Sequence, residues 1–384
     1  MDKSLRTKDL GKPMRGSLAV WCEASHQSAE PATDLHFNLW RDLPGSPDVL
    51  DVGFNFKHPH SFAKLHFYVP AEISVKDVRD LSDVLEDDQT LSAVFNDTLH
   101  VGDRDENAFN AMLGTKIAYR IARLRFAEHV SFREIKESSG GGTVVSFGGP
   151  LFQSMPEHGS HYIRIRLTLS GNLGRVFSDD FDPSDRIFLS GFFRTDVVEF
   201  RVNERRNFGR SLREKYPNMA MPKIGAIHYF LVRSIATELI TSHADFRKVR
   251  RLEPLLWERY LQGLGRVSAE KMVIYHWRAG VDKPVDDFIA LAWFRAPRQN
   301  FLLYICAILL VGAAGSTTQA MLTKVGTSFG VADNWPLQFC ILIGLVGIIL
   351  LAYTVVSSAK RPFQFLPFRN RLSVVKRWLK WRPR

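Results

Sequence analysis

Phe301-Leu-Leu-Tyr-Ile-Cys-Ala-Ile-Leu-Leu-Val311 opens the stretch that decides how the rest of the chain is read. It continues through Gly312-Ala-Ala-Gly-Ser-Thr-Thr-Gln319 to Thr323, and no charged residue falls between Arg298 and Lys324. A second apolar run extends from Pro336 through Cys340-Ile-Leu-Ile-Gly-Leu-Val-Gly-Ile-Ile-Leu-Leu-Ala-Tyr-Thr-Val-Val356, uncharged between Asp333 and Lys360. A helix needs about 20 apolar residues to cross a hydrocarbon core roughly 30 Å thick, so each run predicts one membrane span. Gly326, Gly330 and Asn334 in the connection suit a turn. The pair predicts a transmembrane helical hairpin over residues 299–358.

The flanks orient it. Arg295 and Arg298 precede the first run, Lys360 and Arg361 follow the second, and the connection holds one lysine and one aspartate. Lys/Arg excess marks cytoplasmic flanks, which predicts a two-span protein with both termini inside. Residues 299–384 carry ten Lys/Arg against one Asp, that is +9 of the chain's +11, leaving +2 for residues 1–298. The basic balance therefore belongs to the tail, and nucleic acid is not an expected partner. In residues 359–384, Phe363, Phe365, Phe368, Trp378 and Trp381 interleave with the cations. That pattern suits an amphipathic segment lying on the bilayer, with Lys376, Arg377, Lys380 and Arg382 on anionic lipid headgroups. The charges alone are equally met by a flank that only fixes topology.

Ahead of the hairpin the chain is long enough for one large domain or two ordinary ones. Met1-Asp-Lys-Ser-Leu-Arg-Thr-Lys-Asp-Leu10 has no apolar h-region, so no secretory signal is expected there and the body is expected to fold in the cytoplasm. Residues 1–222 read as an α+β cytoplasmic, sensor-like domain. Within 16–70, Leu35/Phe37/Leu39, Val52/Phe54/Phe56 and Leu65/Phe67/Val69 alternate with other residues, which predicts an antiparallel meander. Val75–Leu85 reads as helical. Glu106–Phe126 reads as the first long helix, with Phe109, Met112, Leu113, Ile117, Ile121 and Leu124 on one stripe. Thr143–Phe147 and Tyr162–Leu169 read as strands. Residues 223–298 read as a helical neck, with helices over Ile224–Ile240, Arg251–Leu261 and Pro284–Phe294.

Candidate sites are weak. Gly140, Gly141 and Gly142, then Gly148-Gly149-Pro150, offer backbone N–H groups to a phosphate, but neither the Walker nor the G-x-G-x-x-G spacing is present. A mobile surface loop explains the triple glycine as well; Gly148 and Gly149, at a strand end, are the better half. Arg164 and Arg166 share one strand face, where guanidinium forks suit phosphate or carboxylate. The plainer and preferred reading is a solvated face opposite Asp179, Asp180 or Asp182. Among twelve histidines the close pairs are His58/His60 and His158/His161, without a zinc-binding pattern. The three cysteines form no metal or disulfide framework, Cys22 reads as a core residue, and no catalytic constellation or cofactor motif is present. In the spans, Gly312, Gly315, Ser316, Thr317, Thr318 and Gln319, with Gln338, Gly344 and Gly347, form small and polar positions. They suit either packing within one hairpin or a water-filled path between several.

This layout resembles bacterial two-helix membrane effectors of anti-phage defence, in which a cytoplasmic sensor controls oligomerisation of short membrane helices. The resemblance covers the hairpin (301–356) and the order of the parts; no motif carries it and no residue role transfers. It implies a homo-oligomer in the bacterial inner membrane, with a nucleotide or a protein as trigger. The alternatives are a membrane-anchored enzyme acting on a nucleotide or lipid headgroup, and a scaffold that recruits cytoplasmic partners.

Overall fold

The computed structural model describes residues 16–26, 29–137, 141–169, 176–181, 193–265, 267–280, 283–297 and 301–328. The chain forms two compact units, residues 1–299 and 300–384. The first opens with β1 (Ala19–Ala24), β2 (Ala32–Trp40), β3 (Asp48–Phe56), β4 (Phe62–Val69) and β5 (Val78–Asp80), then α1 (Ser82–Leu85) and α2 (Asp88–Phe95). It continues with β6 (His100–Arg104), β7 (Ala108–Leu113), β8 (Lys116–Ala122), α3 (Phe126–His129), β9 (Val130–Ile135), β10 (Gly142–Phe147) and α4 (Gly149–Ser154). Then come β11 (His161–Leu169), β12 (Ser178–Phe181), β13 (Phe193–Val202), α5 (Arg210–Lys215) and β14 (Lys223–Ser234). The last elements of this unit are β15 (Glu238–Ser242), β16 (Lys248–Arg251), α6 (Pro254–Leu261), β17 (Met272–Ala279) and β18 (Phe288–Pro297).

A ten-stranded sheet organises the unit, in the order β16-β17-β14-β2-β3-β11-β8-β7-β6 with β5 beside β11. Its pairings are antiparallel except β14 with β2 and β11 with β8. Two antiparallel four-stranded sheets, β1-β4-β10-β9 and β12-β13-β18-β15, complete the unit. They meet at a bridge between Leu18 and Val202. The main core joins one face of the large sheet (Phe37, Phe54, Ile165, Tyr229) to Val20, Phe67 and Val145 of the first small sheet and Phe200 and Phe294 of the second. Each such fully buried side chain contributes roughly 1.5–3 kcal/mol. The rings interlock as well: Phe200 stacks on Tyr229 at 4.2 Å. Arg233 of β14 ties the sheets at one end. It is fully buried, donates to Asp42 at 2.8 and 2.9 Å and to Asp196 of β13 at 2.9 Å, and lies over the Phe294 ring.

The other face of the large sheet is covered by α1, α2 and α6, whose Leu85, Leu91, Trp257 and Tyr260 pack against Trp40 and Tyr162. Pro254 stands in the first turn of α6, where its missing N–H is not needed, and Trp257, Tyr260 and Leu261 fall on one buried face.

The body is thus mostly β-sheet with few helices, which corrects the α+β reading and removes the helical neck. Glu106–Phe126 is the hairpin β7–β8, turning at Gly114 with φ +60°. Ile224–Ile240 is β14 with β15, and Pro284–Phe294 falls largely in β18; α6 alone survives of the neck. Val75–Leu85 keeps a 3-10 turn at Val75–Asp77 and one α-helical turn, α1, on either side of the short strand β5. The strands of residues 16–70 are as expected, but they do not form one meander: β2 and β3 pair in the large sheet, β1 and β4 in a small one.

In the second unit, α7 runs over Phe301–Ser328. Among the described residues no helix is long and apolar enough to cross a membrane. The second apolar run and the basic tail lie outside the described residues, so the spanning hairpin is an expectation from the sequence alone.

Candidate ligand pocket

Alternation on three neighbouring strands assembles the candidate site. Leu35, Phe37 and Leu39 of β2 turn into the main core, as do Ile227, Tyr229 and Leu231 of β14 and Tyr275 and Trp277 of β17. The residues between them, His36, His228, Phe230 and His276, therefore face the helix-covered side. The register sets His228 beside His36 and Phe230 beside His276. His228 Nδ1 lies 3.2 Å from His276 Nε2, and the His36 and His228 rings are 5.0 Å apart.

These residues line a cavity of about 320 Å³. One wall is Phe95 stacked on Tyr119 at 4.4 Å; the other is Phe230 stacked on His276 at 4.2 Å. His36 stands between them, in ring contact with Phe95 and with His228. Phe95 is fixed as the last residue of α2. Asp87 caps that helix by accepting from the Thr90 N–H at 2.9 Å, and Asn96 ends it in the left-handed conformation. Trp257 of α6 adds an indole that is 1% exposed, and its N–H has no hydrogen-bond partner. Arg247, Lys248 and Arg250 form the rim at the sheet edge. Arg250 pairs with Glu253, whereas Lys248 reaches only the Asn96 side-chain oxygen at 3.4 Å.

Among the described residues no Asp or Glu lines this cavity. Burial lowers His276 to about 3, helped by His228, Arg247, Arg278 and Lys248. Burial likewise brings His228 to about 4, with Arg278 and Arg247 adding to it. His36 is held well below the usual range by burial, then by His228, Arg164 and His276. All three are neutral imidazoles at pH 7, able to donate or accept, in a field set by cations.

Beneath the floor runs a buried network. Tyr162 Oη lies 3.3 Å from His36 Nδ1 and accepts from Arg164 Nη1 at 2.7 Å. Arg164 Nε donates to Tyr260 Oη at 2.8 Å, and Tyr260 donates to Asp51 at 2.6 Å. Arg166 and the Trp40 indole also donate to Asp51. Burial works against the Asp51 charge, but Arg166, Arg164 and Tyr260 together outweigh it and lower the carboxyl's pKa. One carboxylate thus serves two buried guanidiniums, and Arg164 Nη2 has no partner. Gly53 sits in register between His36 and Arg164. A Cβ there would overlap the Tyr162 hydroxyl, so glycine is what admits that link.

Arg164 and Arg166 are therefore not on a solvated face, and their carboxylate is Asp51 rather than an acid near residue 180. They lie behind the cavity and do not line it. Gly148 and Gly149 fall at the β10–α4 junction, where the Gly148 N–H is already given to the His129 carbonyl at 2.8 Å. They too are outside the cavity. Cys22 is buried in the main core, where burial pushes its thiol up to about 11. Among the described residues no three His, Cys, Asp or Glu are grouped to hold a metal. On α7, Ser316, Thr317 and Thr318 donate to the helix's own carbonyls of Gly312, Ala313 and Ala314. Gly312 and Gly315 are on the same helix. Ser316, Gln319, Thr323 and Thr327 recur at helical spacing on one face. Gln338, Gly344, Gly347, Lys376, Arg377, Lys380 and Arg382 lie outside the described residues.

The histidine site was missed in the sequence because its members are far apart along the chain. A local signal did exist: each histidine stands between apolar residues of a strand, as Leu35-His-Phe37, Ile227-His-Tyr229 and Tyr275-His-Trp277. No protein-family model matches the chain, and no curated protein matches it.

Proposed function

We propose that this chain is an integral membrane effector whose β-rich body senses a small ligand in the histidine pocket and so controls self-association of a two-helix hairpin in a bacterial inner membrane. The observation that carries the reading is the pair of uncharged runs, residues 299–323 and 334–359, in a chain whose body holds a cation-rimmed cavity. The polar face of α7 supports an active role for the hairpin, because a lipid-facing tether does not require one. Ser316, Thr317 and Thr318 satisfy themselves on their own helix. The Gln319 amide is the group on that face that would seek a partner helix or water. The basic, aromatic tail would then rest on anionic lipid, and disruption of the membrane in anti-phage defence is the outcome this design serves.

The pocket also supports a second reading, an anchored enzyme acting on a nucleotide or lipid headgroup, since neutral imidazoles can move protons. Membrane potential in expressing cells separates the two. A hairpin exchanged for an unrelated two-span anchor should abolish depolarisation if the hairpin acts. Full activity after the exchange refutes the effector reading and leaves the enzyme.

A further inference from the structure

We propose that the histidine cavity binds a planar aromatic ring carrying an anionic group, of the size of one nucleoside monophosphate. The inference rests on the sensing role proposed for this pocket, but not on what the hairpin does.

The anion follows from the charge inventory. Arg247, Lys248 and Arg250 stand at the mouth, and among the described residues no carboxylate lines the cavity. Arg247 pairs with no acid among the described residues, Lys248 reaches only an amide oxygen, and Arg250 alone is offset, by Glu253. Behind the floor, two guanidiniums share the single carboxylate of Asp51. The ionised neighbours that act on the three histidines are cations, whereas Asp34 and Asp97 act on Tyr119, so the pull on an anion is concentrated on the histidine side of the cavity.

The ring follows from the walls. Tyr119, Phe230 and His276 are only partly buried, although they stand on the covered face of a large sheet, and so is Phe95 of the covering helix α2. They come from both sides of the cavity, and a flat ring between such surfaces gains stacking whatever its identity. Hydrogen bonding points the same way. The Trp257 indole N–H is buried without a partner beside the cavity, an arrangement that folding normally avoids. A ring nitrogen or carbonyl of a ligand is the acceptor it lacks, and the neutral imidazoles can serve either polarity. Size sets the limit: about 320 Å³ is at the low end of the roughly 300–1,000 Å³ of small-molecule sites, so one nucleotide unit fits and a chain of them does not.

The test is calorimetric titration of the full chain in detergent micelles with AMP and GMP. Adenosine serves as ring without anion, inorganic phosphate as anion without ring, and indole-3-acetate as an aromatic carboxylate. The expected result is saturable binding of an aromatic anion at least tenfold tighter than of adenosine or phosphate. Arg247→Gln with Lys248→Gln, both exposed and away from the core, should remove most of that advantage and leave adenosine unchanged. Phe95→Ala should weaken nucleotide and nucleoside alike. If indole-3-acetate outbinds both nucleotides the ligand class stands, with a carboxylate as its source. Absence of saturable binding by any aromatic anion up to about 1 mM overturns the inference, as does binding insensitive to both the rim pair and Phe95→Ala. Binding without any change in self-association leaves the inference standing and refutes the sensing role. Depolarisation without binding does the reverse.

Discussion

Acidification is expected to unfold the body through its pocket histidines, and replacing one of them should blunt that sensitivity by a calculable amount. At pH 7 His36, His228 and His276 are neutral folded or unfolded. Below about pH 6.5 the unfolded chain takes up protons that the folded pocket refuses until about pH 4 at His228 and about pH 3 at His276. A lowered folded pKa contributes stability that is whole above the unfolded value and is lost as pH falls towards the folded one. The loss approaches 1.4 kcal/mol per pH unit per group. Between pH 6.5 and 4.5, His228 and His276 should each remove roughly 2 kcal/mol, and His36 acts in the same direction. Against a typical total of about 5–15 kcal/mol that is a large share. His276→Asn should therefore reduce the acid-induced loss by about 2 kcal/mol, whatever it costs at neutral pH. The measurement is urea unfolding of the full chain in micelles at pH 7 and 4.5, followed by tryptophan fluorescence. His26→Asn, at an exposed position, controls for the substitution itself. If His276→Asn lost as much stability on acidification as the parent, the pocket histidines would not be neutral and desolvated, and the electrostatic account of the site would fail.

Asp51→Asn leaves Arg164 and Arg166 buried without a carboxylate and should cost about 3–5 kcal/mol in the same unfolding assay. Asp80 behaves oppositely to the histidines. Burial raises it to about 6 despite hydrogen bonds from Ser82 and Leu124, so its contribution is whole below about pH 4 and is lost as pH rises through 6. Asp80→Asn should accordingly be more favourable, relative to the parent, at pH 8 than at pH 4.5, by about 2 kcal/mol. Gly53→Ala should displace Tyr162 from His36 and weaken aromatic-anion binding several-fold, read by calorimetry. Gln319→Leu should reduce self-association in membranes, whereas Thr318→Val should not, because that hydroxyl is already given to Ala314; crosslinking in vesicles compares them.

Strands with one alternating face were legible in the sequence, among them Leu35–Leu39, Val52–Phe56 and Tyr162–Leu169. Two physical effects hid the rest. Glu106–Phe126 mimics a helix because the Gly114 turn and the irregular register at Ala111/Met112 break the period of two. Apolar residues on both sides of the break then fall at spacings of three and four. β14 is largely apolar on both faces because both faces are covered, and a run broken only by His228 has little period to read. Arg164 and Arg166 alternated correctly, but alternation cannot tell solvent from a second buried layer; Tyr260, ninety-odd residues on, supplies that layer. The pocket depends on the parallel pairing of β14 with β2, and nothing local in either strand records it.

That pairing also sets an order of events on the ribosome. β2 and β3 emerge early, but the strand that joins them on the β2 side is made only after residue 223, with β17 and β18 later still. At roughly 5–20 residues per second the first half of the sheet waits on the order of ten seconds or more with an open edge. The apolar run begins at Phe301, four residues after β18 ends at Pro297. If that run enters a bilayer as proposed, closure of the body and delivery of the run compete in time. A slow-folding body would then arrive with β2 still unpaired along one side, open to a holdase or a second nascent copy.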